Sequence, residues 1–494
     1  MLSSRPWWAW AGLLLLGLAL LPLLGLTLFA QPYFDDYVNA NATAEVGRWA
    51  SQWQSYLHWS GRYTTVFLST MLNSLVWWPL ATQLGGLRAE LAAALLVHAV
   101  ALQQFFRAWL ALLAAPLAPP GRLQAPAWGL ALLVLAVGLN ALPEPFSFLY
   151  WYGASFVYQL AWAFSLGFMA AALRACLLPA GAARRGWAAG AALCLGAAIG
   201  SSELTLLLCF VGLAGLGWWV RRHRPGAWRL CLGWAGLAGG CAVVALAAPG
   251  NWHRAALTDV YPQAHRWLLL VPRTGLAVLG LVAKPAVLAG GLGLAAVGLR
   301  LGPLLRPVPA AVPQRADLLV ALASYLLFNT IGVAFLKSFW LDPLLGRVSN
   351  LLVVVLLAST AALALWVGTW WRPTGGQWLR GRLAGALLAA GLLALLATGQ
   401  VGRAWQEWLL VAPAYDQQMQ ARYALLRQAR AQGRPTADVP PLRLPRVPGV
   451  LVPLAVPGRH IEYSVEIKPT YAENTEIARY FGLQGVRRVA SPSR

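Results

Sequence analysis

The sequence predicts an all-α integral membrane protein. Three observations carry that reading. Apolar residues make up 59% of the 494 and charged residues only 11%. The apolar residues gather in repeated runs of about 20, the length an α-helix needs to cross the hydrocarbon core. The formal charge of +22 is mostly arginine, clustered in short connections between those runs, as in cytoplasmic loops. A chain that spends its basic residues this way has no basic groove for nucleic acid. Its charge suits membrane lipids and their anionic phosphates instead.

Taken in order, the first run covers 7–30. It is too long for the apolar core of a cleaved signal peptide and reads as a retained helix, its N-terminus inside. The polar stretch "QPYFDDYVNANATAEVGRW" opens a long external loop, 31–85. Within it "SGRYTTVFLSTMLNSLVWW" is apolar, yet a crossing there breaks the topology. The Arg-rich connections at Arg184-Arg185, from Arg221, from Arg300 and from Arg372 read as cytoplasmic. A crossing at 63–80 would run 153–178 the wrong way relative to Arg184-Arg185. The segment is therefore expected to lie as an amphipathic helix on the outer surface, with Trp77 and Trp78 at the interface.

The remaining spans fall at 86–113, 127–143, 153–178, 187–201, 203–220, 230–248, 268–298, 318–336, 348–371 and 383–402, about eleven in all. The run 268–298 is overlong and holds Lys284, so it is expected to kink or lie partly in the interface. Residues 1–402 make the membrane domain. Residues 403–494 form a small external α+β segment: a polar helix in "YDQQMQARYALLRQARAQG", a proline-rich then strand-like stretch, and a short helix in "ENTEIARYFGL". The five cysteines lie in or beside apolar runs and read as small core residues, not as disulfides or metal ligands.

Acids are scarce, 16 in the chain. In this topology nearly all those of the membrane part fall at the external ends of spans. Exclusion of positive charge from that side explains the average, not the placements. Asp35 and Asp36 stand side by side directly after the first span. Glu203 lies between two short apolar runs, where a carboxylate is costly unless paired or facing water. External basic residues are few: Arg62, Arg254 beside His253, Lys337 and Arg347. The planar fork of arginine suits phosphate. The plainer role of each is an interfacial anchor or a partner for a nearby acid.

The motifs "FDDY … WSGRY", "WYGASFVYQL", "SSEL" and "APGNWHR" are similar to an uncharacterised bacterial family of polytopic membrane proteins grouped with GT-C glycosyltransferases. The acidic pair in a long first external loop resembles that class as well. The resemblance implies a GT-C-like bundle in the bacterial inner membrane. It implies a sugar donor linked to polyprenyl phosphate and an acceptor hydroxyl on a lipid, glycan or protein. Because the leaving group is already a phosphate, such transfer needs a base on the acceptor and positive charge at the phosphate. On this reading Asp35 or Asp36 is the base, Asp35 preferred. Arg62 and Arg254, with Lys337 and Arg347 behind them, hold the donor phosphate. Tyr33, Trp59, Trp151 and Tyr152 stack on sugar rings or belong to an interface belt. Glu203 and His253 complete the substrate site. Either Asp with Glu203 is a candidate ligand pair for magnesium or manganese. A transporter or flippase of lipid-linked sugars, and a catalytically silent envelope-assembly protein, are the rival readings.

Overall fold

The computed structural model describes residues 7–77, 82–113, 123–258, 267–301, 315–338, 346–370, 390, 393–394, 397–445 and 472–489. Almost all of them are helical. Five helices are long and apolar enough to cross a membrane, or up to seven if each of two bent pairs counts as one span. The chain is thus a membrane-embedded helical protein.

The first helix, α1 (Trp7–Gly25), continues as a tight turn over Leu26–Phe29. These 23 residues span about 35 Å at 1.5 Å per residue, enough for a crossing. The chain then bends by 47° into α2 (Phe34–Val46). This helix carries Asp, Asn, Thr and Glu. After Gly47 come α3 (Arg48–His58), α4 (Tyr63–Met71) and α5 (Ser74–Trp77). Nine residues and four residues are too short to cross. Arg88, near the start of α6 (Gln83–Leu113), donates from Nε to Ala30 O at 3.2 Å. The residue after the first helical stretch and the start of α6 therefore lie at one end of the bundle.

The expected surface helix needs a correction. Residues 63–77 form two short helices broken at Leu72-Asn73, and Trp78 lies outside the described residues. The amphipathic helix is α3, and it is inverted. Ser51 is buried, and Gln52 and Ser55 are half-buried, while Trp49 and Trp53 face outward at 70% and 60% exposure. A water-soluble helix would turn these faces the other way.

Beyond α6 the chain runs through α7 (Gln124–Asn140), α8 (Tyr152–Leu177), α9 (Ala182–Ile199), α10 (Glu203–His223) and α11 (Pro225–Leu246). A surface helix, α12 (Pro249–Thr258), follows. The overlong run breaks at Ala283-Lys284 into α13 (Trp267–Val282) and α14 (Pro285–Leu301), bent by 78°. The predicted kink is real. Then come α15 (Arg315–Ser338) and α16 (Gly346–Trp370). Most of the expected span 383–402 lies outside the described residues.

Large apolar side chains such as Leu23, Leu91, Phe106 and Phe148 fill one continuous core between these helices. Each fully buried residue of this size contributes about 1.5–3 kcal/mol where it leaves water, and less where the alternative is lipid.

The chain leaves the bundle through α17 (Val401–Gln406) and α18 (Ala412–Ala431). Strand β1 (Thr436–Val439) pairs in parallel with β2 (Gly485–Arg488), Thr436 opposite Gly485, with α19 (Ala472–Tyr480) between them. A second apolar cluster, including Tyr415, Tyr423, Phe481 and Val486, holds this C-terminal unit together.

Candidate functional site

The short motifs meet at one end of the bundle in two linked constellations. The first surrounds the acidic pair. Asp36 is fully buried in the first turn of α2. Its Oδ2 accepts the Tyr33 amide at 2.8 Å, and its Oδ1 accepts the Gly153 amide at 2.9 Å. One carboxylate thus caps its own helix and ties it to the "WYG" segment. Burial pushes its pKa up to about 7, against the two amides that pull it down, with the Asp35 charge adding to the rise. Asp35 points to a different side, about 100° round the helix, and is only partly buried. Burial also raises its pKa, and the facing Arg347 guanidinium draws it back.

The local backbone explains how residue 153 reaches Asp36. Wide helical turns at Phe146–Tyr150 and Phe156–Leu160 flank an extended residue, Trp151. Such turns leave backbone groups outside the regular ladder, and the Gly153 amide is spent on Asp36. A Cβ at 153 would sit 3.3 Å from Asp36 Oδ1 and 3.5 Å from Trp151 Nε1, so glycine allows the close approach. The Trp151 ring packs edge-on to Tyr33 at 4.9 Å and stacks on Phe146 at 6.2 Å. Arg347 lies over the same ring, 5.5 Å from its centre.

Arg347 stands at the start of α16, where the 144–147 loop is pinned. The Glu144 amide donates to Asn350 Oδ1 at 3.0 Å, and Ser147 Oγ donates to Glu144 Oε2 at 2.6 Å. Three buried donors here have no hydrogen-bond partner among the described residues: Trp151 Nε1, the Tyr152 hydroxyl and Arg347 Nε. Buried donors of this kind are costly and rarely left alone. The ring of Tyr152 is packed against Phe156 at 4.4 Å and is 1% exposed. It has no free face for a sugar, and what it offers is its hydroxyl. That hydroxyl lies within electrostatic reach of Asp36 and Glu90.

The second constellation centres on Glu203, at the N-terminus of α10. Arg62 Nη2 and Nε donate to Glu203 Oε2 at 2.8 and 3.0 Å, and Arg254 Nη2 lies 3.5 Å from Oε1. Burial works against the Arg62 charge, but Glu203 outweighs it and the pKa rises. Burial lowers that of Arg254, helped by Arg62 and opposed by Glu203. Arg254 lies 5.9 Å above the exposed Trp59 ring, and His253 meets His58 edge-on at 6.0 Å. Close backbone contacts knit the motifs together. The Gly61 amide donates to Asn251 Oδ1 at 3.1 Å, and the Thr64 amide to Gly200 O at 2.8 Å. A Cβ at Gly61 would fall 1.8 Å from Ala245 O, and one at Gly250 would fall 2.4 Å from the Trp59 amide nitrogen.

The predicted site residues therefore divide. Tyr33, Trp151, Tyr152 and Arg347 gather at the Asp pair; Arg62, Arg254, Trp59 and His253 gather around Glu203. Tyr158, on the same segment as Gly153, lies near both Arg62 and Arg254. Lys337 lies in the last turn of α15, and its side chain is outside the described residues. The sequence did not single out Phe146, Gly153 or Tyr158; the quoted "WYGASFVYQL" holds the last two. Glu90, near the start of α6, accepts from Ser74 Oγ at 3.3 Å.

Of the carboxylates expected for a divalent cation, Asp36 and Glu203 are already engaged. Both oxygens of Asp36 are taken by amides, and Glu203 is held by two arginines in the other constellation. No group of three or more His, Cys, Asp or Glu among the described residues is placed to hold a metal. No family model, no curated protein and no solved structure matches this chain.

Proposed function

We propose that the chain is a GT-C-like membrane glycosyltransferase, with about eleven spans, in a bacterial inner membrane. It transfers a sugar from a polyprenyl-phosphate donor to an acceptor hydroxyl of a lipid, glycan or protein at the external face. The observation that supports this reading is the division of labour within the acidic pair. Asp36 is locked by two amides, whereas Asp35 is only partly buried, feels the Arg347 charge and shares this end of the bundle with three unpartnered donors.

In the proposed step the acceptor oxygen attacks the anomeric carbon as the carbon–phosphate-oxygen bond breaks. The configuration inverts, and the hydroxyl proton passes to Asp35. The electron pair leaves with the phosphate. Arg347, Trp151 Nε1 and the Tyr152 hydroxyl supply positive charge and hydrogen bonds there. Tyr33 and Trp151 form the aromatic wall. Arg62 and Arg254, paired with Glu203, shape the neighbouring rim.

The test is transfer from radiolabelled polyprenyl-phosphate sugars by the reconstituted protein. Asp35→Asn should lower turnover by about 10²–10⁴, the usual worth of a general base. Wild-type turnover in that variant would sink the assignment. The two bent helix pairs, at 47° and 78°, give the transporter reading its footing, since broken helices line many transport sites. Movement of an intact lipid-linked sugar across vesicles, with no new glycosidic bond, would favour it.

A further inference from the structure

The bend that starts α2 is fastened from outside by the C-terminal unit. Gln31 sits in the bend and is 2% exposed. Its Nε2 donates to Asp416 Oδ1 at 2.6 Å, and its Oε1 accepts from the Tyr423 hydroxyl at 3.2 Å. Both partners lie on α18. The Tyr423 hydroxyl also meets that of Tyr37, on α2, at 3.3 Å. Arg88 closes the ring, binding Ala30 O through Nε and pairing with Asp416. A second grip holds the far end of α2, where Asn41 Nδ2 donates to Glu476 Oε2 at 2.7 Å and Glu45 pairs with Arg479. A third reaches α5 and α6. There the Tyr480 hydroxyl donates to Leu75 O at 2.8 Å and bonds Gln83 Oε1 at 2.6 Å.

These contacts have a common effect. A helix of 13 residues, entered through a bend of 47°, has no covalent reason to keep its azimuth. Held at its first residues and its last, α2 can neither roll nor swing. Roll is what matters for the acidic pair. A turn of α2 by one residue, about 100°, would take Asp36 off the Gly153 amide and Asp35 away from Arg347. Gln31 and Arg88, both largely removed from solvent, would also lose their partners if the C-terminal unit let go, a cost of about one net hydrogen bond each or more.

From this arrangement we infer that the C-terminal unit is a positioning element for α2. Asp416 is the positioning residue that couples α18 to the Asp36–Gly153 contact. The Gly153 amide is bound by Asp36, so it reports the coupling at a distance from the clamp. The inference is independent of the reaction and is read without substrate.

Hydrogen–deuterium exchange of the full chain in nanodiscs tests it. Asp416→Ala removes the ring's centre. Tyr423→Phe removes only a hydroxyl and keeps the packing, so it carries the test if the first variant does not insert. Arg487→Ala, which breaks a surface pair with Asp438, is the control. The inference expects the peptide covering Gly153 to exchange about tenfold faster or more in both variants. Exchange in 161–177 should match wild type, and the control should leave both peptides unchanged. Faster exchange confined to 412–431 would overturn it. So would loosening that spreads equally to 161–177, because the contact would then be scaffolding and not positioning.

Discussion

Asp36→Asn separates the charge of this side chain from its hydrogen bonds. Asparagine keeps one oxygen for the Tyr33 or Gly153 amide and turns an NH2 toward the other. That mismatch costs about 1–3 kcal/mol at any pH. The charge behaves differently. The folded pKa of Asp36, about 7, lies above the ordinary value of 3.8. The folded state therefore holds a proton that the unfolded chain releases, and stability falls as pH rises from about 4 to about 7. At 1.36 kcal/mol per unit, the rise from pH 5 to the folded pKa removes about 3 kcal/mol from the wild type. The variant has no such loss. Asp35, Glu90, Tyr152 and Arg347 surround the group in both proteins, so their contribution cancels to first order. The assay is SDS-induced loss of helix in detergent micelles, followed by circular dichroism at about pH 5 and pH 8. Asp36→Asn should be the less stable protein at pH 5 and should recover most or all of that deficit by pH 8. An equal gap at both values would refute the argument that burial raises this carboxyl.

Three further outcomes follow from the geometry. Arg62→Ala leaves Glu203 with only the longer Arg254 contact and should cost about 3 kcal/mol in the same assay; Arg62→Ala with Glu203→Gln should recover part of it. Gly346→Ala would place a Cβ 2.6 Å from the Glu144 carboxylate, so folded yield should drop sharply, and Glu144→Ala in the same chain should restore it. Gly153→Ala crowds Asp36 Oδ1 at 3.3 Å and should accelerate amide exchange at 33–37 by several-fold, with an unchanged rate telling against the close approach.

Much of the architecture was written in local pattern. The helices near 86–113, 153–178 and 203–220 come within a few residues of the apolar runs, because apolar length alone marks a helix that lipid can surround. The break at Lys284 followed from length and one charge. Partners were harder. Arg62 and Glu203 are 141 positions apart, and only helix packing brings them together. Sequence offered each external arginine two roles, phosphate ligand or partner of a nearby acid, and only packing shows that Glu203 takes two of them. The split roles of Asp35 and Asp36 were half visible. Adjacency on a helix predicts different sides, but not that two backbone amides would claim one of them. The inverted polarity of α3 was present in "RWASQWQSYLH" as spacing, yet which face turns outward is a tertiary fact.

That inversion has a mechanical consequence. Trp49 and Trp53 face outward at 70% and 60% exposure, and indole is most at home at the headgroup level of a bilayer. One residue, Gly47, with a φ of 81°, separates α3 from the helix bearing the acids. That helix is tied to the bundle through Asp36 and Gly153 and to α18 through Tyr37, with its entry bend fixed by Gln31. An aromatic face seated at the headgroups would therefore set the depth of Asp35 and of the bundle together, as one rigid draught.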